Sequence, residues 1–296
     1  TPVSALIHAA TMVAAGVYLM AVVFPLYENS DFILRIIAGV GLVTALGAAL
    51  IAVVMTDMKR VLAYSTVSHL GFMMLAIGAG APGVAMFHLL VHAFAKAVQF
   101  LGAGSVNHGT HETDIRKMGG LRRKMPLTTW TFIIAALSLA GVPPLAGFFS
   151  KDEILRSIPE GRISEAYLVL ALIAIGASAI YTSRLIYRVF FGELSPDNQD
   201  ACESSIHMTG PMILLAIGGA IAGAIVFELP GLGDFEGFVA WVLPAHGHGA
   251  IQFTWWLTAT ATVVASLGLW GVFKMHQSGP ATVASVRNRF PAGQKL

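Results

Sequence analysis

Residues 87–100 read FHLLVHAFAKAVQF. His88, His92 and Lys96 fall four residues apart in a run that is otherwise almost wholly apolar. On a helix that spacing places all three on one stripe. An ionisable residue inside an apolar span is expensive unless it faces protein or water, so it normally has a role. Two readings fit the stripe. In one, the histidines are neutral packing groups and Lys96, near the end of its span, extends its ammonium to an interface. In the other, the stripe passes protons, because burial disfavours the charged forms of lysine and histidine alike and both can then exchange a proton. Three such groups in register favour the second reading.

The rest of the chain sets the cost of these groups. It is 56% hydrophobic and 11% charged over 296 residues, with a mean hydropathy of +0.73; soluble domains carry about 25% charged residues. Apolar runs near 4–25, 33–56, 62–80, 84–105, 127–148, 164–190, 209–228 and 251–273 are long enough to cross a bilayer core, which takes about 20 helical residues. None alternates as a barrel strand would. The pattern predicts an all-α, polytopic transmembrane helix bundle of about eight spans, the fifth interrupted. The single cysteine, Cys202, excludes an internal disulfide and a cysteine-bound zinc or iron–sulfur site. No glycine-rich nucleotide loop follows a strand, so any redox chemistry is expected in a partner. Thr1-Pro2 leads straight into an apolar run without a charged leader, which reads as the interior of a longer chain rather than a signal peptide.

Lysine and arginine counts orient the spans. With alternating spans, thirteen fall on one side, including Lys59, Arg60, the cluster from Arg116 to Lys124, Arg184 and Arg188; Arg35, Arg156 and Arg162 fall on the other. The loops at 57–61, 106–126 and 191–208 are therefore expected to face the cytoplasm. The 116–124 cluster reads as a topology signal that contacts lipid headgroups. The net charge of +2 reflects this asymmetry, and no nucleic-acid partner is expected. Lys96 and Lys151 are the two basic residues left within spans.

Residues 137–155 read LSLAGVPPLAGFFSKDEIL. Pro143 and Pro144 cannot donate backbone hydrogen bonds and clash with the preceding turn, so they should break the helix. Freed carbonyls are tolerated at membrane depth only beside a polar cavity, and a broken helix near a charge is a transporter feature. Lys151 follows, with Asp152 and Glu153 beside it as possible ionic partners; the alternative is a surface turn with an exposed Lys-Asp-Glu. His8, in the first span, is balanced between packing and relay. Asp57, Lys59 and Arg60 are expected to anchor a helix end, His69 is ambiguous, and His246 with His248 makes a metal site only weakly.

PVSALIHAATMVAAGVYL, DMKRVLAYSTVSHLGFM, FHLLVHAFAKAVQFLGAGSV, DIRKMGGLRRKMP and GVPPLAGFFSKDEIL, in this order, closely resemble the L-type antiporter-like subunits of proton-pumping NADH–quinone oxidoreductase, complex I. The match is dense to about residue 193 and looser beyond. The resemblance implies two inverted five-helix repeats, each with a broken helix and a lysine-centred half-channel. Residues 1–32 would be the last helix of the first repeat with its connection, and 33–192 the second repeat. Two further transmembrane helices would lie in 193–273 and a cytoplasmic tail in 274–296. It also implies that His8 links half-channels, that His88, His92 and Lys96 form the central axis, and that Lys151 with Asp152 serves proton exit. The chain would hold no cofactor; NADH, FMN, iron–sulfur clusters and quinone would be bound by partner subunits. Its partners would be other membrane subunits, including antiporter-like paralogues, and the lipid of a bacterial or organellar energy-transducing inner membrane. Two alternatives are a multisubunit sodium/proton antiporter and a non-pumping paralogue. In that antiporter family TMVKAG usually follows the histidine, whereas here Ala14 gives TMVAAG.

Overall fold

The computed structural model describes residues 2–9, 11–161, 163–223 and 254–278. Among them the regular elements are helices: α1 (Pro2–Ala9), α2 (Met12–Val22), α3 (Asp31–Val54), α4 (Met58–Gly78), α5 (Pro82–Thr110), α6 (Pro126–Ala140), α7 (Ala146–Glu160), α8 (Ala166–Ile186, extended by a π turn at Tyr187–Phe191), α9 (Ile206–Ile221) and α10 (Trp255–Gln277). Taking α1 with α2, and α6 with α7, as one broken crossing each gives the eight expected spans. The all-α membrane bundle is thus observed.

Two spans differ from expectation. The first is not continuous. Thr11 sends both its backbone N–H (3.2 Å) and its hydroxyl (2.9 Å) to the Leu6 carbonyl, a hydroxyl competing with the helix ladder just after His8. In the fifth, α6 stops at Ala140, Gly141 adopts a left-handed conformation (φ 87°), and α7 restarts at Ala146 and runs to Glu160. The crossing is therefore longer than 127–148. Lys151, Asp152 and Glu153 lie buried inside α7, so the surface-turn alternative is overturned. The break itself falls at the double proline, as its chemistry requires. Ser138 of α6 accepts the Gly147 N–H at 3.1 Å, and a Cβ at Gly147 would collide with the Ser138 carbonyl. The pair of half-helices is stitched at that point.

Small residues bring α3 and α4 together. Gly41 lies against the backbone of Leu75 and Gly71, and Gly71 against that of Ala45, with no room for a Cβ at either; such close approach drives helix association where lipid removes the hydrophobic incentive. At the far end, Asp57 caps α4 by accepting the Arg60 N–H at 2.9 Å, fulfilling the expected anchoring role. Met58 and Ile115 donate to Thr113 and Thr56, both at 2.9 Å, tying the 111–116 loop to this cap. The Arg116 guanidinium beside Asp114 holds that carboxyl below its ordinary range. Arg184 closes the α3 end by donating to the Val53 and Met55 carbonyls at 2.8 and 2.7 Å.

Gly71→Ala is expected to lower thermal stability of the detergent-solubilised protein by about 1–3 kcal/mol through overpacking. Gly47→Ala, which faces open space, should be neutral or stabilising. Equal melting temperatures for the two variants would contradict the close α3–α4 contact.

Candidate functional site

α4 and α5 are joined by a short turn and run antiparallel, so a four-residue stripe on one meets a four-residue stripe on the other. The α5 stripe is His88, His92 and Lys96; the α4 stripe is Ser65 and His69, and all five are buried. His69 Nδ1 lies 3.0 Å from His88 Nε2, one nitrogen donating and the other accepting. His88 Nδ1 in turn meets Ser150 Oγ of α7 at 2.9 Å. The His69 ring also approaches that of His92, with centroids 5.7 Å apart. Neither His92 nitrogen has a hydrogen-bond partner among the described residues; the ring reaches toward the Ala9 carbonyl at the end of α1 without full hydrogen-bond geometry.

Lys96 does not extend to an interface. It is completely buried and donates to Ser65 Oγ at 2.6 Å and Gln99 Oε1 at 3.0 Å. Ser65 is also 2.7 Å from the Tyr181 hydroxyl of α8. These oxygens replace part of an ammonium's hydration, but among the described residues no carboxylate pairs with Lys96. A buried charge without a counter-ion is costly, and neutral oxygens are what the fold offers Lys96 in place of one.

Lys151 occupies the start of α7. It donates to Ser178 of α8 at 3.2 Å and stands 5.8 Å from the Phe72 ring centre. The expected ionic partner is not there. Asp152 turns to α10 and accepts the Thr258 hydroxyl at 2.8 and 2.9 Å. Glu153 pairs with Arg156 at 2.6 Å, and Arg156 also holds Glu160. On a helix, Asp152 and Glu153 project about 100° and 200° around from Lys151, so adjacency in sequence placed them on other faces. A cavity of about 10 Å³, close to the room one water needs, lies between Lys151, Asp152, Gly141 and Ala261. α8 thus touches both lysines, through Tyr181 with Ser65 on one side and Ser178 on the other.

His8 lies at the edge of this seam. It is half-buried and stacks on Phe100 at 4.8 Å, and Phe100 follows Lys96 by four residues on the same stripe. Sequence reasoning brought forward His88, His92, Lys96, Lys151, His8 and Asp152; the structure gathers the first four around one polar seam, leaves His8 at its margin and sends Asp152 to Thr258. It missed Ser65, Gln99, Ser150, Ser178 and Tyr181 and left His69 undecided. The four-residue spacing of Ser65 and His69 was the available signal. Among the described residues no cluster of three or more His, Cys, Asp or Glu is arranged to hold a metal, and His246 and His248 lie outside them.

The fold and seam together describe a membrane helix bundle of the antiporter-like class with a lysine–histidine interior. Residues 1–181 match the family described as NADH:quinone oxidoreductase/Mrp antiporter, TM, and the chain belongs to that family. It is 45% identical over 241 residues to the NADH-quinone oxidoreductase subunit L of Rickettsia conorii, covering 80% of this chain and 36% of that protein. It is 42% identical over 295 residues to the subunit L of Mycobacterium tuberculosis, covering 97% of this chain and 46% of that one. The expected resemblance to subunit L is therefore borne out, while the chain spans less than half the length of these relatives. The Mrp complex from Dietzia sp. DQ12-45-1b is similar in structure, with a TM-score of 0.78 and 28% identity over 99% of this chain and 34% of that one.

The Asp152–Thr258 contact should show a coupling of about 1.5–3 kcal/mol, the range for hydrogen bonds to a charged group, in a double-mutant cycle of Asp152→Asn and Thr258→Val read by thermal unfolding. Strictly additive losses would mean that α7 and α10 are not joined there.

Proposed function

We propose that this chain is the proton-translocating portion of an L-type membrane subunit of NADH–quinone oxidoreductase, moving protons through the α4–α5 seam while quinone is reduced in partner subunits. One observation carries the reading: Lys96 is wholly buried, bound by neutral oxygens and aligned with three histidines. A fixed structural cation would have been given a carboxylate. The histidines carry protons between the α7 and α5 ends of the seam, Lys96 alternately holds and releases one, and Lys151 serves the broken-helix end with Ser178. His8 connects the seam to whatever precedes it, and Asp152 holds α10 against α7 rather than pairing with Lys151.

In this reading residues 33–192 form one antiporter-like repeat and 1–32 end another, with two further transmembrane helices in 193–273 and a tail in 274–296. NADH, FMN, the iron–sulfur clusters and quinone belong to partner subunits, and antiporter-like paralogues flank this one in the membrane. The loops 57–61, 106–126 and 191–208 face the cytoplasm, supported by the lysine and arginine count. A sodium/proton antiporter role has the support of the Mrp likeness; the higher identity to the L subunits and the TMVAAG sequence at Ala14 favour the complex I reading.

The test uses the full-length subunit in its complex, reconstituted in liposomes. Lys96→Ala should abolish most proton translocation, and adding His92→Ala should cost little more, because groups in series do not lose additively. Lys96→Arg should also fail, since a guanidinium holds its proton; a pumping Lys96→Arg complex would make this position a fixed charge and end the relay reading. Orientation is tested separately by the exposed Cys202. It should react with a membrane-impermeant thiol reagent from the cytoplasmic side, and reaction only from the opposite side would reverse the topology.

A further inference from the structure

We propose that His69 of α4 is itself a proton carrier, the group that joins His88 to His92. This rests on the relay reading above and adds to it a residue outside the α5 stripe.

The geometry asks for such a group. His88 and His92 sit on the same helix, and neither ring is hydrogen-bonded to the other. His69 stands across the interface from both, with ring centroids 5.3 Å from His88 and 5.7 Å from His92. It is 1% exposed, and its Nδ1 contact to His88 is 3.0 Å. Together with the 2.9 Å contact from His88 to Ser150, this makes three consecutive groups, each able to donate on one side and accept on the other.

Such a chain conducts. In one arrangement, neutral His69 donates its Nδ1 proton to His88 Nε2, and neutral His88 donates its Nδ1 proton to Ser150 Oγ. A proton arriving at His69 Nε2 lets the Nδ1 proton cross to His88; His88 then passes its own Nδ1 proton to Ser150, whose hydroxyl proton leaves beyond it. One proton enters and one leaves. Every group ends neutral, with both imidazoles in the opposite tautomer, donating in the reverse direction. Before a second proton can pass the same way, both imidazoles and the Ser150 hydroxyl must turn back to the first arrangement, a rotation of side chains that moves no helix. Glutamine at 69 could keep a hydrogen bond to His88 but could not take up a proton on one side and release one on the other.

The experiment uses the full-length subunit in its assembled complex, comparing His69→Gln with Lys96→Ala by protons translocated per electron transferred. We expect His69→Gln to show a clear loss in this ratio relative to wild type, with electron transfer less affected. A wild-type ratio in His69→Gln with a collapsed ratio in Lys96→Ala would overturn the role of His69 and leave the relay reading standing. A wild-type ratio in Lys96→Ala would remove the relay reading and this inference with it. Should His69→Gln fail to assemble, solid-state NMR of ¹⁵N-histidine-labelled wild-type complex decides. Coupling across an N–H···N bond between His69 and His88 is expected, and its absence would overturn the proposal.

Discussion

The constraint on which this structure depends is the apolar surroundings of its buried polar groups. Within an apolar bundle, a polar side chain must find its partners within the protein, and the lysine and histidines of α4 and α5 do so largely across the interface between those two helices. α4 and α5 run antiparallel with matched four-residue periods, so Ser65 meets Lys96 and His69 meets His88. The remaining helices complete what that pair leaves open. α7 brings Ser150 to His88, α8 brings Tyr181 to Ser65 and Ser178 to Lys151, and the glycine contacts between α3 and α4 fix the other face of α4. His92 alone is left with both ring nitrogens unpartnered among the described residues, at the point where the first crossing is also broken.

The seam is made of neutral partners. Hydroxyls and an amide surround two lysines, while the carboxylates nearest in sequence are engaged elsewhere, Asp152 by Thr258 and Glu153 by Arg156. Ion-paired lysines would be held in the charged state. Hydroxyls can accept a hydrogen bond from an ammonium or donate one to an amine, so they support either state. On the relay reading proposed above, that choice of partner is what separates a pathway for protons from a buried structural cation.

Much of this was legible in the sequence. Hydropathy gives the crossings, and the four-residue spacing of His88, His92 and Lys96 gives a stripe, because both depend on local periodicity alone. The double proline gives the broken helix for the same kind of local reason. Across the seam only the four-residue spacing of Ser65 and His69 left a local signal, whereas Ser150, Ser178 and Tyr181 become partners through helix packing alone. Lys151 shows the opposite failure: adjacency suggested Asp152 or Glu153 as its partner, whereas helical geometry turns both away. The break beside His8 was hidden because Thr11 is an ordinary residue in an apolar run, and only the two hydrogen bonds it donates to the Leu6 carbonyl show the ladder interrupted.

The central claim is that Lys96 changes protonation state as the complex works. The direct measurement is the ¹⁵N chemical shift of the Lys96 Nζ in the assembled complex, compared at rest and under steady turnover. The account expects signals of both amine and ammonium, with their proportions changing on turnover. A single ammonium signal, unchanged between the two conditions, would contradict it.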